Sequence, residues 1–396
     1  MSLFIIADPC WNIMSRNLFA LVLVYTVIAL VCASFESKED EYLANLKQKD
    51  SLLHFKLWQL EHGKVYTTTE EHSRRFVTFK ENLALIEQLN KEHNGMAIFA
   101  ANKFADISPA EFGSTVLMRR RSVPQHSQDK FLKSSPSTDP LPESFDWRDK
   151  NVVSSVKDQG SAGTCWAFST VANVEGQFAM KYQKLLNLSV EQVVDCDDSE
   201  DVPKRYGDCG VYGGWPYLAF GYLQRQGGIE TESAYPYCCG GGKDLCFVCP
   251  NGYWNASICG PPMPYCNVSQ SCPYKLDKSK FVENLVVNDW KQIDMNETVI
   301  AQQLQVIGPL SVALDARMLQ FYSKGVFNPY LCSKTTLDHA VLLVGFGTDK
   351  GLFGDTPYWT IKNSWGPSWG EKGYFRIKRG AGTCGINTQV TTAILA

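Results

Sequence analysis

Catalysis near neutral pH needs a titratable base, and the histidines of this 396-residue chain restrict the choice. The chain has six histidines, and only His339 lies after residue 140. A hydrolase that is built from the C-terminal part of the chain and works through an imidazole must therefore use His339. The same count excludes a zinc site with two histidines in that part. Taken alone, His339 could equally be a histidine that begins a buried strand.

Cys165 is the candidate nucleophile. It follows a loop of small residues, Gln159 to Thr164, and it begins a stretch with the apolar rhythm of a helix. A thiol at a helix N-terminus lies at the positive end of the helix dipole, which favours the thiolate, and a nearby imidazolium favours it further. A cysteine and a histidine together suggest nucleophilic attack on a carbonyl. The alternative is a helix-start cysteine that forms a disulfide.

The elements around these two residues are predicted to be helices first and strands later. The pattern predicts a helix over Cys165 to Tyr182 and a capping box at Ser189 to Gln192 that opens a second helix. Ala340 to Val344 is an apolar run ended by Gly345, and Tyr358 to Asn363 alternates, so both are predicted strands. This order indicates an α+β domain with two lobes.

The N-terminal part has a different composition. Residues 1–33 are predicted to be a signal peptide, because Asn17 to Val31 is almost wholly apolar; a signal anchor is the alternative, and Met14 is a second possible start. From Glu36 to Gln88 we expect two amphipathic helices, the first with an apolar face made by Leu53, Leu57 and Leu60. Arg119 to Pro140 has the composition of an exposed linker that is open to proteolysis.

Charge and cysteine usage limit the compartment and the partners. A formal net charge of −3 gives no basic excess for nucleic acid or anionic lipid. Twelve of the fourteen cysteines lie from Cys165 to Cys384, after the predicted signal peptide. This distribution favours disulfides and therefore a protein of the secretory pathway. We expect it to act in a lysosome-like compartment or outside the cell. Four glycosylation sequons begin at Asn187, Asn255, Asn267 and Asn296.

Three blocks carry a resemblance to a known family. Gln159 to Trp166, Leu337 to Val341 and Asn363 to Gly366 resemble, in this order, the active-site blocks of the papain family, the cathepsin L-like cysteine peptidases. The resemblance implies the papain-like two-lobe fold, with a helical lobe and a β-barrel-like lobe. It implies that Cys165 attacks the peptide carbonyl and that His339 carries the proton. It also implies that Asn363 orients the imidazole and that Gln159 binds the oxyanion with the Cys165 amide.

The resemblance also implies a substrate pocket and an inhibitory propeptide. The pocket residues would be Gly213, Gly214, Trp215, Pro216, Ala313, Ala340 and Gln389, with Trp365 over the His339–Asn363 bond. Because most are apolar, we expect a hydrophobic residue two places before the scissile bond. The propeptide helix pattern is matched by Glu71, Arg75, Phe79, Asn82, Ile86 and Asn90. A second propeptide motif spans Ala100 to Asp106, where Ala100 replaces the family's glycine.

The expected organisation is a signal peptide (1–33), an inhibitory propeptide and linker (34–138) and a papain-like peptidase domain (139–396). We expect a monomeric cysteine endopeptidase, made as a zymogen, that acts on proteins or peptides and needs no cofactor or metal. Its own propeptide would be an intramolecular inhibitor, with no nucleic-acid partner and no membrane anchor after signal removal. The alternative is a secreted binding protein that keeps this fold and uses a cysteine-rich loop for recognition.

The chain departs from the family at its cysteines. Ala162 stands where the family has a cysteine, so the usual partner, at Cys209, is expected to be unpaired. The other two family bridges would be Cys196 with Cys272 and Cys332 with Cys384. An insertion at about 238–271 holds six cysteines and no histidine, which favours a disulfide-stapled loop and endopeptidase activity. A zinc site through Cys238, Cys239, Cys246 and Cys249 is the alternative for this loop.

Overall fold

The computed structural model describes residues 50–133, 140–201, 205–238, 256–259, 272–351 and 354–396. The predicted signal peptide lies outside these residues. So do the sequons at Asn255 and Asn267 and most of the insertion, including the cysteines of the zinc alternative other than Cys238. No helix within the described ranges is long and apolar enough to cross a membrane. The chain divides into two compact units, Met1–Phe76 and Val77–Ala396.

The first unit contains helical residues 50–61 (α1) and the start of α2 (Thr69–His93). The expected apolar face of α1 is wrong, because Leu53, Leu57 and Leu60 are 57%, 58% and 79% exposed. The buried residues are instead Phe55 and Trp58. Phe55 also contacts the rings of Tyr66, His72 and Phe76. The large aromatic rings bury more apolar area than the leucines and so determine which face of the helix is covered.

In the second unit, asparagines on α2 hold the segment that follows it. The Asn82 amide donates to the carbonyls of Ala105 and Ile107, both at 2.8 Å. Asn90 exchanges two hydrogen bonds with the backbone of Phe99, which ends strand β1 (Ala97–Phe99). A short helix, α3 (Pro109–Thr115), follows, with Ser108 as its N-cap. These polar positions of the α2 pattern therefore fold the segment back along the helix.

Eight of residues 119–133 are exposed, as the linker prediction expects, but this stretch is attached to the C-terminal part of the chain. Arg121–Ser122 (β2) pairs with Thr336–Leu337 (β9), and Pro124 is buried. Phe131 forms a bridge with Gln292. Backbone pairing and a few apolar side chains anchor a stretch whose composition is mostly polar. Residues 134–139 lie outside the described part of the chain.

The C-terminal part places its larger helices before its larger strands, which confirms the α+β prediction. Its helices are α4 (Cys165–Tyr182), α5 (Val190–Cys196), α6 (Pro216–Gln226), α7 (Ala256–Cys259), α8 (Cys272–Lys275) and α9 (Glu297–Ile307). Ser189 accepts from the Gln192 amide and caps α5, as predicted. The helix predicted from Cys165 has the expected bounds.

Within the described ranges, the strands form one large mixed sheet and two small ribbons. Their bounds are β3 (Phe145–Asp146), β4 (Glu200–Asp201), β5 (Tyr206–Gly207), β6 (Val287–Gln292), β7 (Leu310–Leu314), β8 (Tyr322–Phe327), β10 (His339–Gly351), β11 (Gly354–Lys362), β12 (Tyr374–Lys378) and β13 (Val390–Leu395). The sheet order is β1-β8-β12-β11-β10-β7-β13-β6, and β3 also pairs with β10. Strand β1 of the N-terminal segment thus extends the sheet of the C-terminal part.

Strand β10 positions the candidate histidine at its first residue. The prediction that this strand ends at Gly345 is wrong, because β10 continues to Gly351 after a register shift between Leu343 and Gly345. A Cβ on Gly345 would lie 2.5 Å from the Phe145 carbonyl oxygen, so the glycine admits strand β3 rather than ending the sheet. Helix α4 packs against β10 and brings the two candidate residues to one interface.

Candidate active site

Cys165 is the first residue of α4 and is fully buried. Its sulfur accepts a hydrogen bond from the Ala340 amide at 3.4 Å. Because Ala340 directly follows His339 on β10, the thiol lies against the start of the strand that carries the candidate base. Burial raises the pKa of the Cys165 thiol to about 12, against a smaller lowering by the Ala340 amide. The thiol is therefore neutral in this closed form.

His339 and Asn363 form the second contact of the site. Nε2 of His339 lies 2.7 Å from Oδ1 of Asn363, and both residues are buried. Nδ1 of His339 has no hydrogen-bond partner within the described ranges. Burial lowers the pKa of His339 to about 4, while the Asn363 bond acts in the opposite direction. The ring is thus held through Nε2 and leaves Nδ1 for another group.

Trp365 covers this pair, as the sequence predicts. Its ring stacks on His339 at 4.6 Å between centroids with an interplanar angle of 25°. Its other neighbours are aromatic too, since Phe104 and Phe112 meet it edge-on at 5.6 and 5.2 Å. The indole excludes water from the His339–Asn363 bond, which strengthens that bond.

Gln159 is oriented by Ser364, a residue to which the sequence gave no role. The Ser364 hydroxyl donates to Oε1 of Gln159 at 2.6 Å, so Nε2 points away from it. Nε2 then donates to the carbonyls of Val116 and Ala162, both at 2.7 Å. The amide of Gln159 is therefore already a donor to a peptide carbonyl in the cleft. The sequence feature that could have identified Ser364 is its position directly after Asn363.

The loop before Cys165 is braced from two sides without the family disulfide. On one side, the Tyr237 hydroxyl donates to the Gln159 carbonyl at 2.9 Å and lies 2.8 Å from the Thr164 hydroxyl. On the other, the Gly163 amide donates to the Val211 carbonyl at 2.9 Å. Tyr237 was missed because it lies 78 residues from Gln159, with no periodic pattern to connect them.

The expectation that Cys209 is unpaired is wrong. Cys209 forms a disulfide with Cys259 of the insertion. This bond holds the loop that supplies Val211, and also Gly210, whose carbonyl accepts from the Trp166 indole at 3.0 Å. The bridges Cys196–Cys272 and Cys332–Cys384 are both present, as the resemblance implies. Among the described cysteines, Cys165 is free.

The predicted substrate wall lines the cleft beside Cys165. At Gly213, with φ of +113°, a Cβ would lie 2.5 Å from the Met118 side chain. At Gly214 a Cβ would meet the buried carboxyl of Asp208 at 2.4 Å, and Asp208 accepts from the Trp215 amide at 2.6 Å. Glycine is thus required at both positions by close approach. The buried Asp208 carboxyl thus stabilises the backbone of the wall, a role that sequence reasoning did not identify.

The predicted pocket residues lie around one apolar cluster. Trp215, Ala313 and Ala340 belong to the buried cluster that also contains Cys165 and Met118. Ala313 and Ala340 are paired directly across β7 and β10. Pro216 is buried at the first turn of α6. Gln389 donates to the Pro124 carbonyl at 2.9 Å and lies 3.0 Å from the His126 ring.

The N-terminal segment fills this cleft. The Met118 amide donates to the Asp338 carbonyl at 3.0 Å, and the Arg119 amide donates to the Tyr212 backbone carbonyl at 3.2 Å. Lys103 donates to the Trp365 carbonyl at 3.1 Å and pairs with Asp158. These contacts place the N-terminal segment over the cleft, where burial raises the pKa of Cys165 and lowers the pKa of His339. The cleft is therefore closed to a second peptide.

Two of the four sequons can be located. Asn187 is exposed, and Asn296 is exposed at the N-cap of α9, where its Oδ1 accepts from the Thr298 amide at 2.9 Å. Within the described ranges, no group of three or more potential ligands could hold a metal ion.

Known proteins resemble this chain over nearly its whole length. Residues 141–394 match the model for papain family cysteine proteases, and residues 55–112 match that for the cathepsin propeptide inhibitor domain. Cysteine proteinase 15A of Pisum sativum is 38% identical over 96% of this chain and 98% of its own. Cysteine proteinase 1 of Dictyostelium discoideum is 36% identical over 82% and 88%. Procathepsin L 3 from Tenebrio molitor larval midgut has a TM-score of 0.69 and 34% identity, over 87% of this chain and 99% of that one. The chain is thus a peptidase that belongs to the papain family of cysteine proteases and carries the family's inhibitory propeptide.

Proposed function

We propose that this peptidase cleaves proteins through Cys165 and His339. One observation supports this assignment most directly: the Cys165 sulfur lies against the Ala340 amide, next to a histidine whose Nε2 is held by Asn363. With Nε2 engaged, Nδ1 of His339 is the nitrogen left to take the thiol proton. Asn363 fixes the ring orientation, and Trp365 protects the bond between them.

The reaction that follows is acyl transfer to sulfur and then to water. The Cys165 thiolate attacks the scissile carbonyl carbon, and the proton held by His339 goes to the departing amine. Water then attacks the thioester, His339 takes a proton from it, and the acid product and the thiol are released. Gln159 Nε2 and the Cys165 amide stabilise the oxyanion of each tetrahedral intermediate. In the precursor, the Gln159 contact with the Val116 carbonyl supports this role.

The substrate preference we propose is a hydrophobic residue two places before the scissile bond. Trp215, Ala313 and Ala340 are apolar and buried, and together with Pro216 they form the side of the pocket. Gly213 and Gly214 bind the substrate backbone, and Gln389 sets the polarity at the far end of the pocket. The 238–271 insertion has no histidine to bind a C-terminal carboxylate, which favours endopeptidase activity.

We also propose how the precursor is processed and in which compartment the enzyme acts. Residues 1–33 would be removed as a signal, residues 34–138 as propeptide and linker, and residues 139–396 would remain as the monomeric enzyme. The product would act in a lysosome-like compartment or outside the cell. Glycans would be attached at Asn187, Asn255, Asn267 and Asn296; the exposure of Asn187 and Asn296 supports two of these sites.

The test is to incubate the purified precursor at mildly acidic pH. We expect loss of the segment before residues 119–141 and the appearance of peptide hydrolysis that Cys165→Ser abolishes. Blocked substrates with Leu or Phe two places before the bond should be cleaved faster than those with Asp. A protein that remains unprocessed and inert under these conditions would favour a binding module. Release of C-terminal dipeptides at a rate matching internal cleavage would contradict endopeptidase activity.

A further inference from the structure

The linker covers a second surface of the peptidase domain, next to Gln389. His126 of the linker, which lies 3.0 Å from the Gln389 side chain, meets the rings of Tyr217 and Trp290 edge-on. The distances between ring centroids are 4.7 Å to Tyr217 and 5.1 Å to Trp290. The two rings also contact each other, at 5.3 Å. They therefore form one aromatic notch, which the imidazole of His126 occupies.

Trp290 also receives a lysine from the linker. Nζ of Lys130 lies 4.9 Å from the centroid of the Trp290 ring and donates to Oδ1 of Asp289 at 2.7 Å. Burial acts to raise the pKa of Asp289, but hydrogen bonds from Lys130 and Lys291 lower it to about 2. Asp289 is therefore a carboxylate even at mildly acidic pH and attracts a cation there.

The backbone of the linker adds to the edge of the large sheet. Among the described strands, β6 is the last in the sheet order, with β13 on one side. On its outer edge, Phe131 forms a parallel bridge with Gln292, and the Leu132 amide donates to the Gln292 carbonyl at 2.8 Å. Lys291 donates to the Asp129 carbonyl at 3.2 Å. An edge strand offers such backbone groups to an extended peptide.

These contacts belong to one continuous surface. Residues 289–292 are successive positions of β6, and Tyr217 packs against Trp290. One run of the linker, residues 126–132, makes all of the contacts, and a 3₁₀ turn at Gln128–Lys130 brings the lysine to the same ring as the imidazole. The surface belongs to the peptidase domain and would stay when the propeptide leaves. Trp290 and Tyr217, which are 8% and 5% exposed in the precursor, would then lose the imidazole that contacts them, and exposed aromatic surface favours a new ligand.

We propose that Tyr217, Asp289, Trp290 and the outer edge of β6 form an exosite, a binding surface outside the catalytic cleft, for a segment of a protein substrate. The segment that fits carries a ring side chain and, four residues later, a lysine that is followed by an extended backbone. Shape and charge both favour this occupant, because the notch takes a ring and the carboxylate takes a cation. The inference rests on the proposed protease function. It adds affinity for a part of the substrate away from the scissile bond and leaves the pocket preference as it is.

The first test measures binding of a labelled peptide of residues 125–133, without the preceding residues that fill the cleft. Its partner is the Cys165→Ser protein after removal of the propeptide by limited proteolysis, so the result does not depend on catalysis. Replacing Lys130 of the peptide by norleucine should raise the Kd about fivefold, but only about twofold when the protein carries Asp289→Asn.

Asp349→Asn is the matched control for Asp289→Asn. The side chain of Asp349 is 37% exposed, against 30% for Asp289, and each carboxylate lies 2.7 Å from a cation. Asp349 is on β10, which is separated from β6 by two strands. The norleucine peptide should therefore still bind this variant about fivefold more weakly than the native peptide does.

The second test compares substrates of the processed enzyme that share one blocked sequence around the scissile bond. Extended versions carry residues 125–133 at the N- or the C-terminus, joined through a flexible Gly-Ser linker. Because the second contact becomes intramolecular, we expect KM to be about tenfold lower for one of the extended substrates than for the short one. Asp289→Asn should reduce this ratio to about threefold or less, and Asp349→Asn should keep it. The ratio is measured within each enzyme, so a general loss of activity cancels.

Three outcomes would contradict the exosite or its basis. Equal KM for the short and both extended substrates would refute it even if the peptide binds, because the surface would then hold only the chain's own linker. Equal weakening by norleucine against native and Asp289→Asn protein would refute the assigned contact between Lys130 and Asp289. Absence of Cys165-dependent hydrolysis would refute the protease function instead, and the binding test would still decide whether the surface takes the segment.

Discussion

Cys209 is bonded to Cys259, so the cysteine that the family uses to tie the nucleophile loop is here tied to the insertion. The bond acts on the active site indirectly. It holds the loop whose Val211 carbonyl accepts from the Gly163 amide and whose Gly213 lies against the cleft. The insertion therefore has a structural role at the substrate wall, even though most of it lies outside the described residues.

Removal of this disulfide should weaken substrate binding as well as the stability of the fold. In Cys209→Ala/Cys259→Ala we expect KM to rise about tenfold and kcat to change less, because the wall loses its anchor while Cys165 and His339 keep theirs. Loss of a disulfide also costs about 2–5 kcal/mol in the free energy of unfolding. Steady-state kinetics and urea unfolding of the processed enzyme measure the two effects.

The control for this experiment is Cys332→Ala/Cys384→Ala. That bridge closes a loop of 52 residues, against 50 for Cys209–Cys259, so the loss of stability should be similar. An equal rise in KM in both double variants would show that the effect is one of global stability.

Cys165 should react slowly with alkylating agents in the precursor. Burial raises the pKa of its thiol to about 12, so at pH 7 only about one thiol in 10⁵ is ionised. Alkylation by iodoacetamide should therefore be at least about a hundredfold slower than in the processed enzyme. For an acid with a raised pKa the reactive form appears as pH increases, so the precursor rate should rise about tenfold per pH unit in the alkaline range. Mass spectrometry of the labelled peptide measures the alkylation rate, and Cys165→Ser gives the background labelling of other residues. Similar rates in the precursor and the processed enzyme would contradict the burial of Cys165 in the precursor.

Tyr237→Phe should lower kcat without a large change in KM. The hydroxyl contacts the Gln159 carbonyl and the Thr164 hydroxyl, which flank the loop before Cys165. Its loss removes hydrogen bonds that position the oxyanion donor, and we expect kcat to fall about threefold to tenfold. Tyr182→Phe removes a hydroxyl that bonds the Asn284 carbonyl on an exposed surface and should leave kcat unchanged. Equal kcat in the Tyr237 variant and the native enzyme would exclude this role.

Asn82→Ala should destabilise the propeptide. The amide of Asn82 is buried and donates to two carbonyls, those of Ala105 and Ile107. Because the Ala105 carbonyl would lose the Asn82 donor, while the Ile107 carbonyl keeps a hydrogen bond from Gln320, we expect a loss of about 2 kcal/mol in unfolding free energy. Thermal unfolding of the precursor in a Cys165→Ser background measures stability without processing, and in the active background processing should be faster. Gln88→Ala is the control, since Gln88 lies exposed on the same helix and its side chain donates to the exposed Glu92. A Tm equal to that control would contradict the prediction.

The sequence by itself determined which residues could perform the chemistry. His339 was the only histidine available after residue 140, and Cys165 at a predicted helix start followed from local pattern. Helix α4 and the capped start of α5 were predictable because their signals lie within a few residues of each other.

Only the tertiary structure decided how that site is closed and braced. The partner of Cys209, the contact of Tyr237 with Gln159 and the role of Ser364 join residues far apart in the chain, and cysteine spacing does not determine pairing. The polar stretch after Arg119 is anchored by pairing with β9, and the leucines of α1 are exposed because Phe55 and Trp58 occupy the buried face. Composition and periodicity report local preference, whereas burial depends on which surfaces meet.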